Sequence, residues 1–184
     1  FLAHTCMEPL NATAVVKDGF CEIWIGCQSP LSFRQAVADS LGFDVENVTL
    51  NNCFMGGGFG RKSRPDYAIQ AAQLAAKVGR PVQLIWSREE DVQQDFYRPA
   101  VQSRFRGALD DNGNLTVWEN TYAGKMEPVE APLIPYTVAV KDIGHVASPT
   151  HVPLGAWRSV DHSQHGFFTE SFENTLSSVK KLSN

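Results

Sequence analysis

Two β-rich runs, Thr13-Ala-Val-Val-Lys17 and Cys21-Glu-Ile-Trp-Ile25, flank Asp18-Gly19, a short-range turn signal, and predict a hairpin over residues 11–26. The period then changes. Phe33, Ala36, Val37 and Leu41 fall on one stripe of a helix over 30–41, with Ser29 as N-cap, Pro30 in the first helical position and Gly42 as terminator. A strand over Val48–Asn51 leads through a glycine-rich loop to a second helix near 65–78, striped by Tyr67, Ala71, Leu74, Ala75 and Val78 and ended by Gly79. Val82–Trp86 reads as a strand, and Ser87-Arg-Glu-Glu90 has capping-box spacing for a short helical turn. The order β-β-α-β-loop-α-β implies an α+β fold, a mixed sheet with helices packed on one face.

Beyond residue 100 two longer strands are predicted, near 100–109 and 114–122, joined by Asp110-Asp-Asn-Gly113. Val101, Ser103, Phe105, Gly107 and Leu109 share one face; Arg104 and Arg106 lie on the other, which faces solvent or another part of a larger protein. Residues 125–153 carry five prolines and little periodicity, and are expected to form a long irregular segment. A final helix over 163–176 would use Phe167, Phe168, Ser171 and Phe172 as its apolar side.

The 184 residues suffice for a sizeable core and are expected to form one domain. A net charge of −4 with no basic stripe argues against nucleic acid as a partner. Cys6, Cys21, Cys27 and Cys53 have no zinc or iron–sulfur spacing, and free, mostly buried thiols are the better reading. No apolar run reaches the ~20 residues of a transmembrane helix. The absence of an initial Met suggests a fragment of something longer.

The chemistry centres on Gly56-Gly57-Gly58-Phe59-Gly60-Arg61-Lys62. Four glycines in five positions allow positive φ and bring backbone N–H groups close to a guest. Arg61, Lys62 and Arg64 are expected to add positive charge at the following helix N-terminus, which suits an anionic cofactor. The run is neither a P-loop nor a dinucleotide fingerprint, so a tight connection without ligand stands beside the cofactor reading, and a phosphate binder ranks last. Gln28 lies just beyond a strand's carboxyl end, where open sheets gather ligands. His162 and His165 are three apart but lack a third metal ligand.

This loop, with His4-Thr-Cys-Met-Glu-Pro-Leu-Asn11 upstream and Leu84-Ile-Trp-Ser-Arg-Glu-Glu-Asp91 downstream, resembles the molybdenum-binding subunit of the xanthine dehydrogenase/aldehyde oxidase family. Asp95-Phe-Tyr-Arg-Pro-Ala100 and Gly155-Ala-Trp-Arg-Ser-Val160 resemble the branch that includes the isoquinoline 1-oxidoreductase β subunit. The likeness runs in order from about residue 1 to about 173.

The resemblance implies oxidation of an aromatic N-heterocycle or an aldehyde with oxygen from water. Its cofactor would be a molybdopterin, in the cytosine dinucleotide form, holding the metal without protein ligands. Electrons would leave through a [2Fe–2S] small subunit. Cofactor-binding residues by this resemblance are Gln28, Gly57, Gly58, Phe59, Gly60 and Arg158, with Phe59 also walling the substrate cavity; His4 and Glu8 are structural. The family's general base is a glutamate far downstream with no counterpart here, so no catalytic residue is assigned to this chain, which is expected to supply half a site beside the remainder of the large subunit and to be inactive alone. Bacterial cytoplasm and periplasm are both compatible. The alternative is a non-catalytic protein-interaction module that keeps the fold.

Overall fold

The computed structural model describes residues 1–124 and 133–182, and its contacts group them into two compact units. The first comprises Leu2–Arg98 with Leu154–Ala156; the second comprises the described residues of Pro99–Pro153 and those from Trp157 onward.

In the first unit the hairpin β1 (Asn11–Lys17) and β2 (Phe20–Ile25) forms the centre of a four-stranded sheet ordered β3-β2-β1-β4, with β3 at Val48–Asn52 and β4 at Val82–Ile85. β1 pairs antiparallel with β2 and β4, while β2 and β3 run parallel. A parallel pair needs a crossover, supplied by α1 (Pro30–Leu41). Gly42 and Gly79 end α1 and α2 (Asp66–Val78) at φ 70° and 67°, the left-handed conformation expected from sequence. Ser87 caps α3 (Arg88–Gln93) by accepting from Glu90 N–H at 3.2 Å. Ser29, by contrast, makes no side-chain cap.

The sheet face under α1 and α2 is the core, with Leu10, Ala14, Ile23, Phe33, Val37 and Tyr67 fully buried. On α2 the buried stripe is Tyr67, Ala68, Ala71, Ala72 and Ala75, whereas Leu74 and Val78, expected inside, are 41% and 58% exposed. Four alanines let the helix lie close on the sheet, and that choice turns the larger side chains outward.

The second unit is a three-stranded sheet ordered β5-β6-β7, with β5 at Gln102–Leu109, β6 at Leu115–Gly124 and β7 at Val140–Ala147. β7, parallel to β6, corrects the expectation of irregular chain across 125–153; residues 125–132 of that segment lie outside the described residues. β7 is an exposed edge strand in which Lys141, Asp142 and His145 interrupt any period-2 alternation of Val140, Ile143 and Val146. The arginine face is exposed as predicted, and α4 (His162–Leu182) covers the opposite face. Phe172 stacks on Phe105 at 4.9 Å and meets Trp118 edge-on at 5.1 Å. Gly107 makes this approach possible, because a Cβ there would lie 3.0 Å from Phe172 Cζ. The α4 stripe is corrected too: Phe167 is 69% exposed, and the inward positions are His165, Phe168, Phe172 and Leu176. Phe167 lies about 100–200° around the helix from each of these positions, on the side turned away from the sheet.

Candidate functional site

The loop between β3 and α2 is shaped by positive backbone φ at three positions. Gly57, Phe59 and Gly60 have φ of 97°, 52° and 107°. Phe59 is a non-glycine residue in the left-handed region, a conformation that persists only when its surroundings impose it. Its ring is 45% exposed and lies over Gly57, where a Cβ would come within 2.8 Å of Phe59 Cε2.

Gln28, exposed in the connection between β2 and α1, reaches the same loop. Its backbone N–H donates to Lys62 O at 2.8 Å, and its Oε1 accepts from Gly60 N–H at 2.9 Å. With the carbonyl end committed to Gly60, the side-chain NH₂ remains as a donor at the loop surface. Gly58 is buried against this side chain; a Cβ there would meet Gln28 Oε1 at 2.6 Å. Gly56 N–H is taken by Glu8 and Arg61 N–H by Gly58 O. The consecutive N–H groups of Gly57, Gly58 and Phe59 have no protein acceptor among the described residues. Successive free amides in such a turn form a concavity for an anion or oxo group.

The basic residues after the glycines do not serve this cradle as charge, which corrects the expectation for Arg61 and Lys62. Both are 1% exposed. Arg61 makes a forked pair with Asp66, at 2.9 and 2.7 Å, and its Nε lies 3.1 Å from Asp95 Oδ1, an ion contact off the line of a hydrogen bond. Its guanidinium also stands over Trp86 and Phe96, at 5.5 and 5.2 Å. Asp95 accepts from the backbone N–H of His4 and lies 3.1 Å from His4 Nδ1, while His4 Nε2 lies 2.9 Å from Ala156 O. Lys62 donates to Glu8 Oε2. Arg88 donates to the carbonyls of Cys6 and Met7 and to Asp91. Three basic side chains thus hold residues 4–8 beside the loop, with His4 and Glu8 engaged in these ties.

Burial opposes ionisation of Asp95, but hydrogen bonds from the His4 side chain and backbone, with Arg61 nearby, outweigh it and hold its carboxyl below the usual range. The same balance lowers Glu8, where Lys62, Gly56 N–H and Asn11 overcome desolvation. Burial lifts the Asp91 carboxyl despite Arg88, offsetting part of this. Depressed carboxyls contribute stability that is fully present above their ordinary values near 4 and lost as pH falls through the folded values. We therefore expect the thermal midpoint, followed by circular dichroism from pH 7 to 3, to be level at first and to drop below about pH 4.

Gln28, Gly57, Gly58, Phe59 and Gly60 are brought together in the first unit. Arg158 belongs to the second unit, exposed on a turn where Ser159 and Val160 take φ of 64° and 50° and Val160 N–H donates to Trp157 O. His165 is buried against Tyr122 and His162 is exposed; among the described residues no cluster of metal-ligating side chains occurs. All four cysteines are free, and burial pushes Cys21 up to about 11. The Lys62–Glu8 and Arg61–Asp95 pairs escaped the sequence because their members lie far apart along the chain; the only signal was basic residues beside a loop whose partners were unseen.

A family model described as molybdopterin cofactor-binding domain matches residues 2–177. The membrane-bound aldehyde dehydrogenase [pyrroloquinoline-quinone] of Gluconacetobacter polyoxogenes is 40% identical over 118 residues, 63% of this chain and 15% of that one. The isoquinoline 1-oxidoreductase subunit beta of Brevundimonas diminuta is 35% identical over 104 residues, 56% of this chain and 13% of that one. Among solved structures, the aldehyde oxidoreductase from Desulfovibrio desulfuricans superposes with a TM-score of 0.80 at 20% identity, over 96% of this chain and 21% of that one, which shows the fold. In each case the match spans about a fifth of the other protein's length or less.

Proposed function

Because the chain belongs to the molybdopterin cofactor-binding domain family, we propose that its glycine-rich loop and Gln28 form one side of the molybdopterin site of a molybdenum hydroxylase. The observation that carries this reading is the row of free amides at Gly57, Gly58 and Phe59, with the NH₂ of Gln28 fixed beside it by Gly60. A cradle whose walls leave no room for a Cβ at Gly57 or Gly58 fits a guest rich in oxygen acceptors.

When bound, the group supplies two-electron oxidation of a carbon with water as the oxygen source. The protein's part is positioning. The three amides and Gln28 donate to the guest's oxygens, preorganised donors being worth far more in a site closed to water. Gly60 orients Gln28 rather than touching the guest itself. Phe59 presents an aromatic wall to an aromatic N-heterocycle or an aldehyde, and Arg158 steadies an anionic part of the cofactor, in its cytosine dinucleotide form, by a charge-assisted fork. The remainder of the large subunit supplies the other side of the site and the general base, and a [2Fe–2S] subunit takes the electrons. The isolated chain is accordingly inactive.

Molybdenum measured by plasma mass spectrometry tests this, on the chain alone and co-expressed with the rest of a large subunit. Metal near one equivalent only in the complex is expected. Metal in neither sample, with the partner stably bound, would overturn the reading in favour of a protein-interaction module.

A further inference from the structure

Both ends of the glycine-rich loop are tied to a single carboxylate. Glu8 Oε2 accepts from Gly56 N–H at 2.8 Å and from Lys62 Nζ, and Oε1 accepts from Asn11 Nδ2 at 3.1 Å. The backbone closes the same joint: Glu8 N–H donates to Gly56 O at 3.2 Å, and a Cβ on Gly56 would lie 2.5 Å from Glu8 Cβ. At the far end Lys62, 1% exposed, passes the constraint on, because its carbonyl accepts the backbone N–H of Gln28. The residues between the two anchors are those with free amides and the left-handed Phe59. A loop of this handedness relaxes unless its ends are fixed.

We propose that Glu8 is a positioning residue for the cradle: its carboxylate clamps Gly56 and Lys62 together and so holds the Gly57–Phe59 amides and Gln28 in their donor arrangement. Glu8 touches no reacting atom in this role. The inference rests on the cradle reading for its purpose but not for its geometry, so the two can fail separately.

Hydrogen exchange by mass spectrometry on the 184-residue chain reads the clamp without any cofactor. In Glu8→Gln, amides of the peptide covering 56–62 are expected to exchange at least about tenfold faster, with β1 and β2 amides unchanged, because opening is local. Glu8→Asp, which keeps the charge on a shorter stem, should recover part of the protection. Lys62→Met removes the other half of the pair with an apolar chain of similar length and should loosen the same peptide, which keeps the test open if Glu8→Gln does not fold. Unchanged exchange at 56–62 in every variant that folds, or an increase spread evenly over the chain, overturns the clamp. In the assembled enzyme, a loosened loop in Glu8→Gln with no molybdenum even in the wild type would leave the clamp standing and sink the proposed function; full molybdenum with unchanged exchange in the variant would do the reverse.

Discussion

Asp95→Ala is expected to destabilise the first unit by about 3 kcal/mol, the cost of removing one partner from a buried ion pair. Asp95 is 1% exposed, accepts from the backbone N–H of His4, meets its ring Nδ1 at 3.1 Å, and stands 3.1 Å from Arg61 Nε as an ion contact. Alanine removes the acceptor of the His4 backbone N–H and leaves the buried Arg61 charge without its Asp95 counter-charge. Arg61 keeps its fork to Asp66, which holds the loss near the lower end of the usual range. Urea unfolding followed by circular dichroism reads the difference directly, and the thermal midpoint should fall by on the order of 10 °C. Asp95→Asn retains an oxygen for the His4 N–H but not the charge, and should lie between alanine and wild type. A loss under about 1 kcal/mol for alanine would mean that Asp66 alone secures Arg61 and that the tie to residue 4 is dispensable.

Gly58→Ala should do the opposite, leaving stability nearly intact while emptying the site. The φ of Gly58 is not in the left-handed region, so alanine fits the backbone. Its Cβ, however, would lie 2.6 Å from Gln28 Oε1 and 3.0 Å from Cδ. The tip of a flexible glutamine yields more cheaply than backbone, so Gln28 swings away and the Gly60 N–H loses its acceptor. The thermal midpoint is expected to move by no more than a few degrees, consistent with a loss of about 1 kcal/mol. Molybdenum in the co-expressed complex should drop at least about tenfold, a change that needs only about 1.4 kcal/mol of lost binding. Wild-type metal content in Gly58→Ala would show that Gln28 plays no part in holding the cofactor.

These two substitutions separate what holds the loop from what the loop offers. Asp95 and Glu8 belong to the first group, Gln28 and the Gly57–Phe59 amides to the second. Arg61 and Lys62 changed sides: read along the chain they were anion-attracting charge, and in the fold they are buried counterions of Asp66, Asp95 and Glu8. With those two charges neutralised, the donors of the cradle itself are backbone N–H groups, whose partial charges need no counterion, while the exposed Arg64 stands over Phe96.

What the sequence determined by itself is what short-range physics decides. The Asp18-Gly19 turn, Gly42 and Gly79 in the left-handed region and Ser87 over Glu90 all depend on residues within a turn or two of each other. The glycine-rich loop was legible for the same reason, since four glycines in five positions have few other uses. Tertiary structure decided which side of each helix was buried, because a 3.6-residue period says which residues share a face and not which face finds a partner. Hence Leu74 and Phe167 point outward while Ala72 and Phe172 pack. It also decided the charges: His4 and Asp95 stand 91 residues apart, Glu8 and Lys62 54, and whether a lysine is a solvated cation or a buried clamp depends on a carboxylate that only the folded chain brings to it.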